Sequence, residues 1–253
     1  MTAPTPELFE YLLRLGDDRL VLGHRTSEWC GHGPILEEDI AVANIALDLL
    51  GQATLFLRLA AKVEGQGRDE DALAYWRDEY QFRNLQIVEL PKGDFGFTVL
   101  RQFLFSGYSH FLLEALSKVR HADLAGIAAK AMKENRYHLR HSGEWLVRLG
   151  DGTEESHRRV QAALDELWPW TVEFFMQDEV DRAMQRAGLA PDLEKLRQPW
   201  DQLVGDVLDR ATLTRPNLPM RMVGGRQGRH TEFLGHLLAE MQIVARSHPG
   251  ATW

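Results

Sequence analysis

The stretch ILEEDIAVANIALDLLGQATLFLRLAAKVE, residues 35–64, decides the fold. Ile40, Ala43, Leu47, Leu50, Leu57 and Ala61 recur along it at helical spacing. Pro34 precedes the run, and Gly65-Gln66-Gly67 stops it. Outward from it, nearly every long segment repeats the period. A first helix is expected over Pro6–Glu28, a third over Asp69–Leu90 (ended by Pro91-Lys92-Gly93) and a fourth over Phe95–Val119. A fifth covers Ala122–Leu149, and a sixth covers Glu154–Ala187 with a kink near Pro169. Asp192–Thr212 reads as helix interrupted at Pro199, Arg215–Arg229 as irregular chain, and Thr231–Ser247 as the last helix. No stretch shows the sustained alternation of a strand. The expectation is an all-α protein. Helices two to five, long and joined by short loops, pack as an antiparallel four-helix bundle with additional N-terminal and C-terminal helices. No low-complexity linker divides the chain, so residues 1–253 read as a single helical domain.

With 253 residues, the chain can bury a substantial core. Its 44% hydrophobic and 26% charged content is that of an ordinary globular domain. A net charge of −8 argues against nucleic acid as a partner. The single cysteine, Cys30, cannot form an internal disulfide and fits a reducing compartment. No Cys-His signature accompanies it, so it reads as a small buried residue near a helix end rather than a nucleophile. The N-terminus lacks a basic start and a continuous apolar run, so no signal peptide is expected. No run of about 18 consecutive apolar residues occurs, so no membrane span is expected either. A cytoplasmic location is the default.

Polar stripes run along these apolar helices. Asn44, Asp48 and Gln52 share one face of the second helix. Glu79, Arg83 and Gln86 line up on the third, Gln102, Ser106, Ser109 and His110 on the fourth, and Lys130, Glu134, His138 and Ser142 on the fifth. Di-iron carboxylate bundles draw one carboxylate from each of two helices and a Glu-x-x-His pair from each of two others. Here Glu79-Tyr80-Gln81-Phe82 and Glu134-Asn135-Arg136-Tyr137 put Phe82 and Tyr137 where the imidazoles would stand. Phe82 cannot coordinate a metal, and Tyr137 is a poor replacement. His138 sits at i+4 from Glu134, rotated from the ligand direction. Asp48, Glu79, Phe82, Glu134, Tyr137 and His138 therefore read as a vestigial site without metal. Its carboxylates would pair with nearby Arg77, Arg83, Lys130, Lys133 and Arg136, because unpaired buried charge costs several kcal/mol per ion. The competing reading is a self-sufficient di-iron or single-metal enzyme with Asp48, Glu79, Glu134 and His138 as ligands.

Other features read as structural. Glu232, His236 and Glu240 form a stripe on the last helix near His230, expected to be a solvated face. His138 and His141 make a bare His-x-x-His pair. The glycine-rich loop at 220–229 carries Arg221, Arg226 and Arg229 before Thr231, a helix N-cap. Glycines let backbone N–H groups approach an anion, so the loop is a weak candidate for a phosphate or coenzyme A tail. Its plainer reading is a connecting loop with solvated arginines. Trp168, Pro169, Trp170, Phe174 and Phe175 form an aromatic cluster expected in the core. Trp29, Trp76, Trp145, Trp200 and Trp253 are scattered and read as structural.

Three blocks carry a family resemblance. RLGDDRLVLGHRTSEWCGHGPILEEDIAVANIALDLLGQA at 14–53, KENRYHLRHSGEWLVRLGDGT at 133–153 and HTEFLGHLLAEMQ at 230–242 resemble the PaaC family. These are the C subunits of bacterial ring-1,2-phenylacetyl-CoA epoxidase (phenylacetate-CoA oxygenase). The resemblance covers nearly the whole chain. It implies a ferritin-like bundle acting in aerobic phenylacetate catabolism. It implies a complex that uses oxygen and NADPH-derived electrons to epoxidise the ring of phenylacetyl-CoA. In that family the A subunit is catalytic and holds the di-iron site, and a reductase subunit delivers electrons. The C subunit resembles A in fold, lacks the metal ligands and pairs tightly with A. No catalytic residue and no cofactor are therefore expected in this chain. An isolated chain is expected to be able to self-associate as a homodimer through the surface meant for its partner.

Overall fold

A computed structural model describes residues 5–219, 221 and 223–251. These residues form nine α-helices and no strand. The helices are α1 (Thr5–Ser27), α2 (Leu36–Glu64), α3 (Glu70–Tyr75), α4 (Phe95–Leu116), α5 (Ala122–Gly150), α6 (Glu154–Leu167), α7 (Glu179–Arg186), α8 (Leu193–Arg210) and α9 (Glu232–Ser247). They fall into two compact units. One holds residues 1–91 and 224–253, and the other holds 92–223. The expected all-α class is what the chain adopts.

In the first unit α1 and α2 form a close hairpin. Glycines set the approach: a Cβ at Gly16 would lie 2.7 Å from the Leu57 side chain, and one at Gly23 3.1 Å from Leu50. The buried stripe of α2 is Val42, Ile45, Ala46, Leu49, Gln52, Ala53, Phe56 and Leu57. Ile40 and Leu47, part of the apolar period read from sequence, point to solvent instead. Gly65 ends α2 in the left-handed region at φ 68°, its N–H bonded to Ala61 O. By length and composition α2 could cross a bilayer. Its inner face is a core face, packed on α1.

The expected third helix, Asp69–Leu90, does not form. Asp69 caps α3 by accepting from Ala72 N at 2.7 Å, but α3 ends at Tyr75. From Trp76 to Leu90 the chain is irregular, with single 3₁₀ turns at Glu79–Gln81 and Gln86–Val88. Propensity did not decide this. Buried side chains from elsewhere in the unit bond these backbone groups, and a helix ladder would have to surrender those bonds.

In the second unit α4 is the central helix, buried from Gly96 through Ser109. Asp94 caps it by accepting from Phe97 N at 2.9 Å. α5 packs on it through Leu124, Ala128, Ala131, Asn135, His138, Ser142 and Leu146. The expected long sixth helix is broken. α6 runs to Leu167, a 3₁₀ segment covers Trp168–Phe175, and α7 restarts at Asp178, whose carboxylate accepts from Val180 N and Asp181 N. Pro169 sits at the start of the 3₁₀ turn, where its missing N–H costs least.

The aromatic cluster is core, as expected. Tyr108 stacks on Phe174 at 4.8 Å, and Trp200 meets both Phe174 and Phe175 edge to face. Pro199 does not interrupt α8; it lies inside it. A proline there costs about 3 kcal/mol. Neighbouring Trp200, 2% exposed and bonded through Nε1 to Leu104 O, anchors the turn against that cost.

Candidate functional site

The densest chemistry in the chain lies in the first unit, around adjacent acids on α1. Asp17 and Asp18 are 0% and 1% exposed. Such charges persist in a core only when paired and hydrogen-bonded. Asp17 takes a two-pronged ion pair from Arg77, one prong at 2.9 Å, and accepts from Arg83 N at 2.8 Å. Asp18 takes a fork from Arg226 at 2.9 and 2.8 Å and accepts from Leu85 N at 2.8 Å. Each acid thus binds one arginine and one backbone N–H of the irregular 76–90 segment. Arg226 also donates to Arg83 O at 2.7 Å, and Arg77 donates to Gln81 O at 3.1 Å.

A third buried acid completes the cluster. Glu89, 0% exposed, accepts from Asn84 Nδ2, His230, Thr231 N and Thr231 Oγ1. The His230 ring bonds Glu89 through Nδ1 at 2.5 Å and reaches Phe82 O through Nε2 at 3.1 Å. Two acceptors on two ring nitrogens call for the imidazolium. Burial alone would lower its pKa, but the hydrogen bond and charge of Glu89, with the Phe82 carbonyl, carry the net shift upward. Thr231 stands at the N-cap of α9 but makes no capping bond, because its hydroxyl is turned to Glu89. Arg25 from α1 donates to Glu89 O and Phe233 O, both at 2.9 Å. Gln242 of α9 bonds Ala74 O and Arg77 O. The cluster therefore fastens α1, the irregular segment and the returning C-terminal segment together. Its acids and their partners face one another, so the cluster positions backbone.

The residues singled out from sequence fall differently. Glu79 is exposed and sits in a 3₁₀ turn. Phe82 follows it in extended conformation, 0% exposed, its ring under the Arg77 guanidinium at 4.3 Å. The expected helical face joining Glu79, Arg83 and Gln86 does not exist, because the helix it needs is absent. Asp48 and Glu134 are half-buried, His138 is fully buried, and all three have partners. Tyr137 is 39% exposed and stacks on His141 at 5.7 Å. Among the described residues no three His, Cys, Asp or Glu side chains come together in a way that would hold a metal.

Two further expectations shift. Cys30 is exposed, not buried; the turn after α1 leaves it facing solvent. Arg226 is not a solvated loop residue, since Asp18 holds it. Arg221 lies with its guanidinium over the Trp170 ring at 4.4 Å. The backbone carbonyl of Arg229 accepts from Gln86 Nε2 at 2.8 Å, which ties this end of the loop to the irregular segment. Glu232, His236 and Glu240 do form an exposed face. Trp253 lies outside the described residues.

Sequence reasoning missed Asp17, Asp18 and Glu89. The signal for the first two was present: adjacent acids set among Leu12, Leu13, Leu15, Leu20, Val21 and Leu22, with Arg14 and Arg19 beside them, point to buried charges with partners. The partners themselves are distant in sequence and were unreadable.

Comparison with known proteins fits the fold. The family model described as phenylacetic acid catabolic protein (PaaA_PaaC) matches residues 1–253. The C subunit of the 1,2-phenylacetyl-CoA epoxidase of Escherichia coli (strain K12) is 49% identical over 247 residues, covering 98% of this chain and 99% of that protein. At that identity, with both chains aligned from end to end, the all-α, ferritin-like class and the family are shared, and the chain belongs to the PaaA_PaaC family of phenylacetic acid catabolic proteins.

Proposed function

We propose that this chain is the noncatalytic C subunit of a multicomponent phenylacetyl-CoA epoxidase in aerobic phenylacetate catabolism. The observation that carries the reading is the end-to-end 49% identity to a protein of that name. In this role the chain holds no metal and no cofactor of its own. It pairs with and stabilises a catalytic A subunit that carries the di-iron centre, while a reductase subunit supplies electrons, all in the cytoplasm. The residue chemistry supports a metal-free part: Phe82 and Tyr137, three residues after Glu79 and Glu134, carry no imidazole, and Phe82 is buried in extended chain under Arg77.

The outer face of α2 supports a pairing role. Leu36, Ile40 and Leu47 are 72%, 53% and 66% exposed on one long helix. Clusters of large exposed apolar side chains mark association surfaces. Co-expression with the epoxidase A subunit is expected to give a stable complex burying well over about 2,000 Å². Leu36→Asp with Leu47→Asp is expected to abolish it while leaving the isolated fold intact by circular dichroism. The pure chain is expected to carry well under one iron per molecule. Stoichiometric di-iron after anaerobic iron loading, with oxygen consumed by this chain alone, would overturn the reading in favour of a self-sufficient oxygenase.

A further inference from the structure

The exposed face of α5 is a cationic stripe on an acidic protein. Lys130, Lys133, Arg136, Arg140 and Arg148 are all exposed. At about 1.5 Å per residue they extend for about 27 Å. Among the described residues none of the five forms an ion pair. Some exposed cations elsewhere are paired: Arg68 with Glu64, Lys118 with Glu114, Arg159 with Glu155 and Arg186 with Glu179. The chain as a whole carries −8, so acids were not scarce. On α5 Asp123, before the stripe, and Glu144, within it, are exposed acids; Glu134 is half-buried with a partner of its own, and Arg136 acts electrostatically on Glu114 of α4.

Aromatic rings interleave the charges. Tyr137, 39% exposed, stacks on His141 at the middle of the stripe, and the Arg140 guanidinium lies 5.8 Å from its ring centre. Arg148 lies over Trp145 at 5.3 Å. Arginine and tyrosine together are the residues enriched where proteins bind proteins. Like charges three and four residues apart, as in Lys133, Arg136 and Arg140, destabilise a helix. A free surface gains nothing from that arrangement, whereas an acidic partner turns it into attraction.

The geometry points to the outer face of α5 as a docking surface for an acidic face of another polypeptide of the epoxidase. The inference rests on the reading above for the identity of the partner and on the charge pattern for the location. Complementary charge of this kind sets encounter rate and orientation and is weakened by salt.

The test uses full-length chains. Wild type and Lys133→Glu with Arg140→Glu are each co-expressed with the other epoxidase subunits, and assembly is measured by sedimentation from about 0.05 to 0.5 M salt, which spans strong and weak screening. The substitutions place opposite charges beside Lys130 and Arg136, while Arg140→Glu sets a like charge four residues before Glu144, so circular dichroism is used to check that the variant keeps its helix content. Arg182→Glu with Arg210→Glu, exposed positions on α7 and α8, makes the same charge change elsewhere. The expected result is subunit binding weakened about 100-fold by the α5 variant at low salt, with a flattened salt dependence and no effect of the control. Assembly of the α5 variant equal to wild type overturns the inference and leaves the epoxidase reading standing. Equal weakening by the control also overturns it, since net charge would then explain the loss. Loss of duplex DNA or anionic-vesicle binding in the α5 variant, with assembly intact, assigns the stripe to another partner and overturns it. A wild type that binds no epoxidase subunit at any salt sinks both readings together.

Discussion

Asp17→Ala is expected to remove about 3–5 kcal/mol of stability, the usual cost of breaking a buried ion pair from one side. The substitution leaves the Arg77 guanidinium, 3% exposed, without its carboxylate and strips Arg83 N of its acceptor. For a chain of this size each kcal/mol moves the melting point by about 2–4 °C, so a fall on the order of 10 °C follows. Asp17→Asn keeps the shape and one acceptor oxygen and should fall between the two. The effect should be local before it is global. Amide exchange is expected to rise first across residues 76–90, because Asp17 holds that backbone in place of a helix ladder. A loss below about 1 kcal/mol would put Asp17 in the range of a surface ion pair and remove the account of why the third helix does not form.

The same reasoning ranks the neighbouring pair. Arg226→Ala removes the arginine partner of Asp18, leaving it the Leu85 N–H, and detaches the loop before α9 from α1. An arginine that holds a buried acid in this way is a structural strut. Loss of Arg226 should therefore appear in stability, measured by urea midpoint, before it appears in any binding measurement.

Much of the fold was legible because the period of apolar residues reports helices wherever the chain is long and regular. α2, α4 and α5 were read to within three residues at each end, and Gly65 marked the end of α2 through ordinary cap chemistry. The failure over 69–90 is instructive. Its residues have acceptable helix propensity, and nothing local forbids a helix. What prevents one is tertiary: Asp17, Asp18, Arg226, His230 and Gln242 reach in from sequence-distant positions and take the backbone groups. Once that helix was assumed, Glu79, Arg83 and Gln86 followed as a false stripe. Pro199 failed in the opposite sense, since a local rule against helix yielded to the burial of Trp200. The site suffered from the same blindness. A carboxylate on a helix rich in buried leucine signals that a partner exists, but the partner of Asp18 lies more than two hundred residues away, in a loop that reads as basic and solvated.

Stability of the first unit is expected to fall as pH rises through neutrality, and His230→Gln is expected to abolish that dependence. The imidazolium of His230 has a folded pKa above its ordinary 6.5, because Glu89 and the Phe82 carbonyl outweigh the burial that opposes them. A group whose pKa is raised on folding adds stability that is complete below its unfolded value. That stability drains away as pH climbs through the folded value. The window therefore opens near 6.5 and extends upward. Glu79 and Glu89 favour the charged ring, while Arg25 and Arg83, bonded to the carbonyls of Glu89 and Phe82, oppose it. His24 and His110 are pulled below the ordinary value by burial, so they shape the acid side. The difference between wild type and His230→Gln, taken at each pH, isolates the pair. Glutamine bonds one of the two acceptors at every pH and cannot titrate. Urea midpoints from about pH 6 to 9, bracketing the ordinary histidine value on its upper side, should show the difference shrinking steadily. A constant difference would mean that the ring is neutral throughout and that Phe82 O is served by Arg83 alone. Glu89→Ala carries the larger effect, at least about 3 kcal/mol, since it strands the imidazolium and both donors of Thr231 and leaves Asn84 Nδ2 with Leu85 O alone. Its loss should free the start of α9, and protease cleavage between residues 224 and 232 is the measurement that shows it.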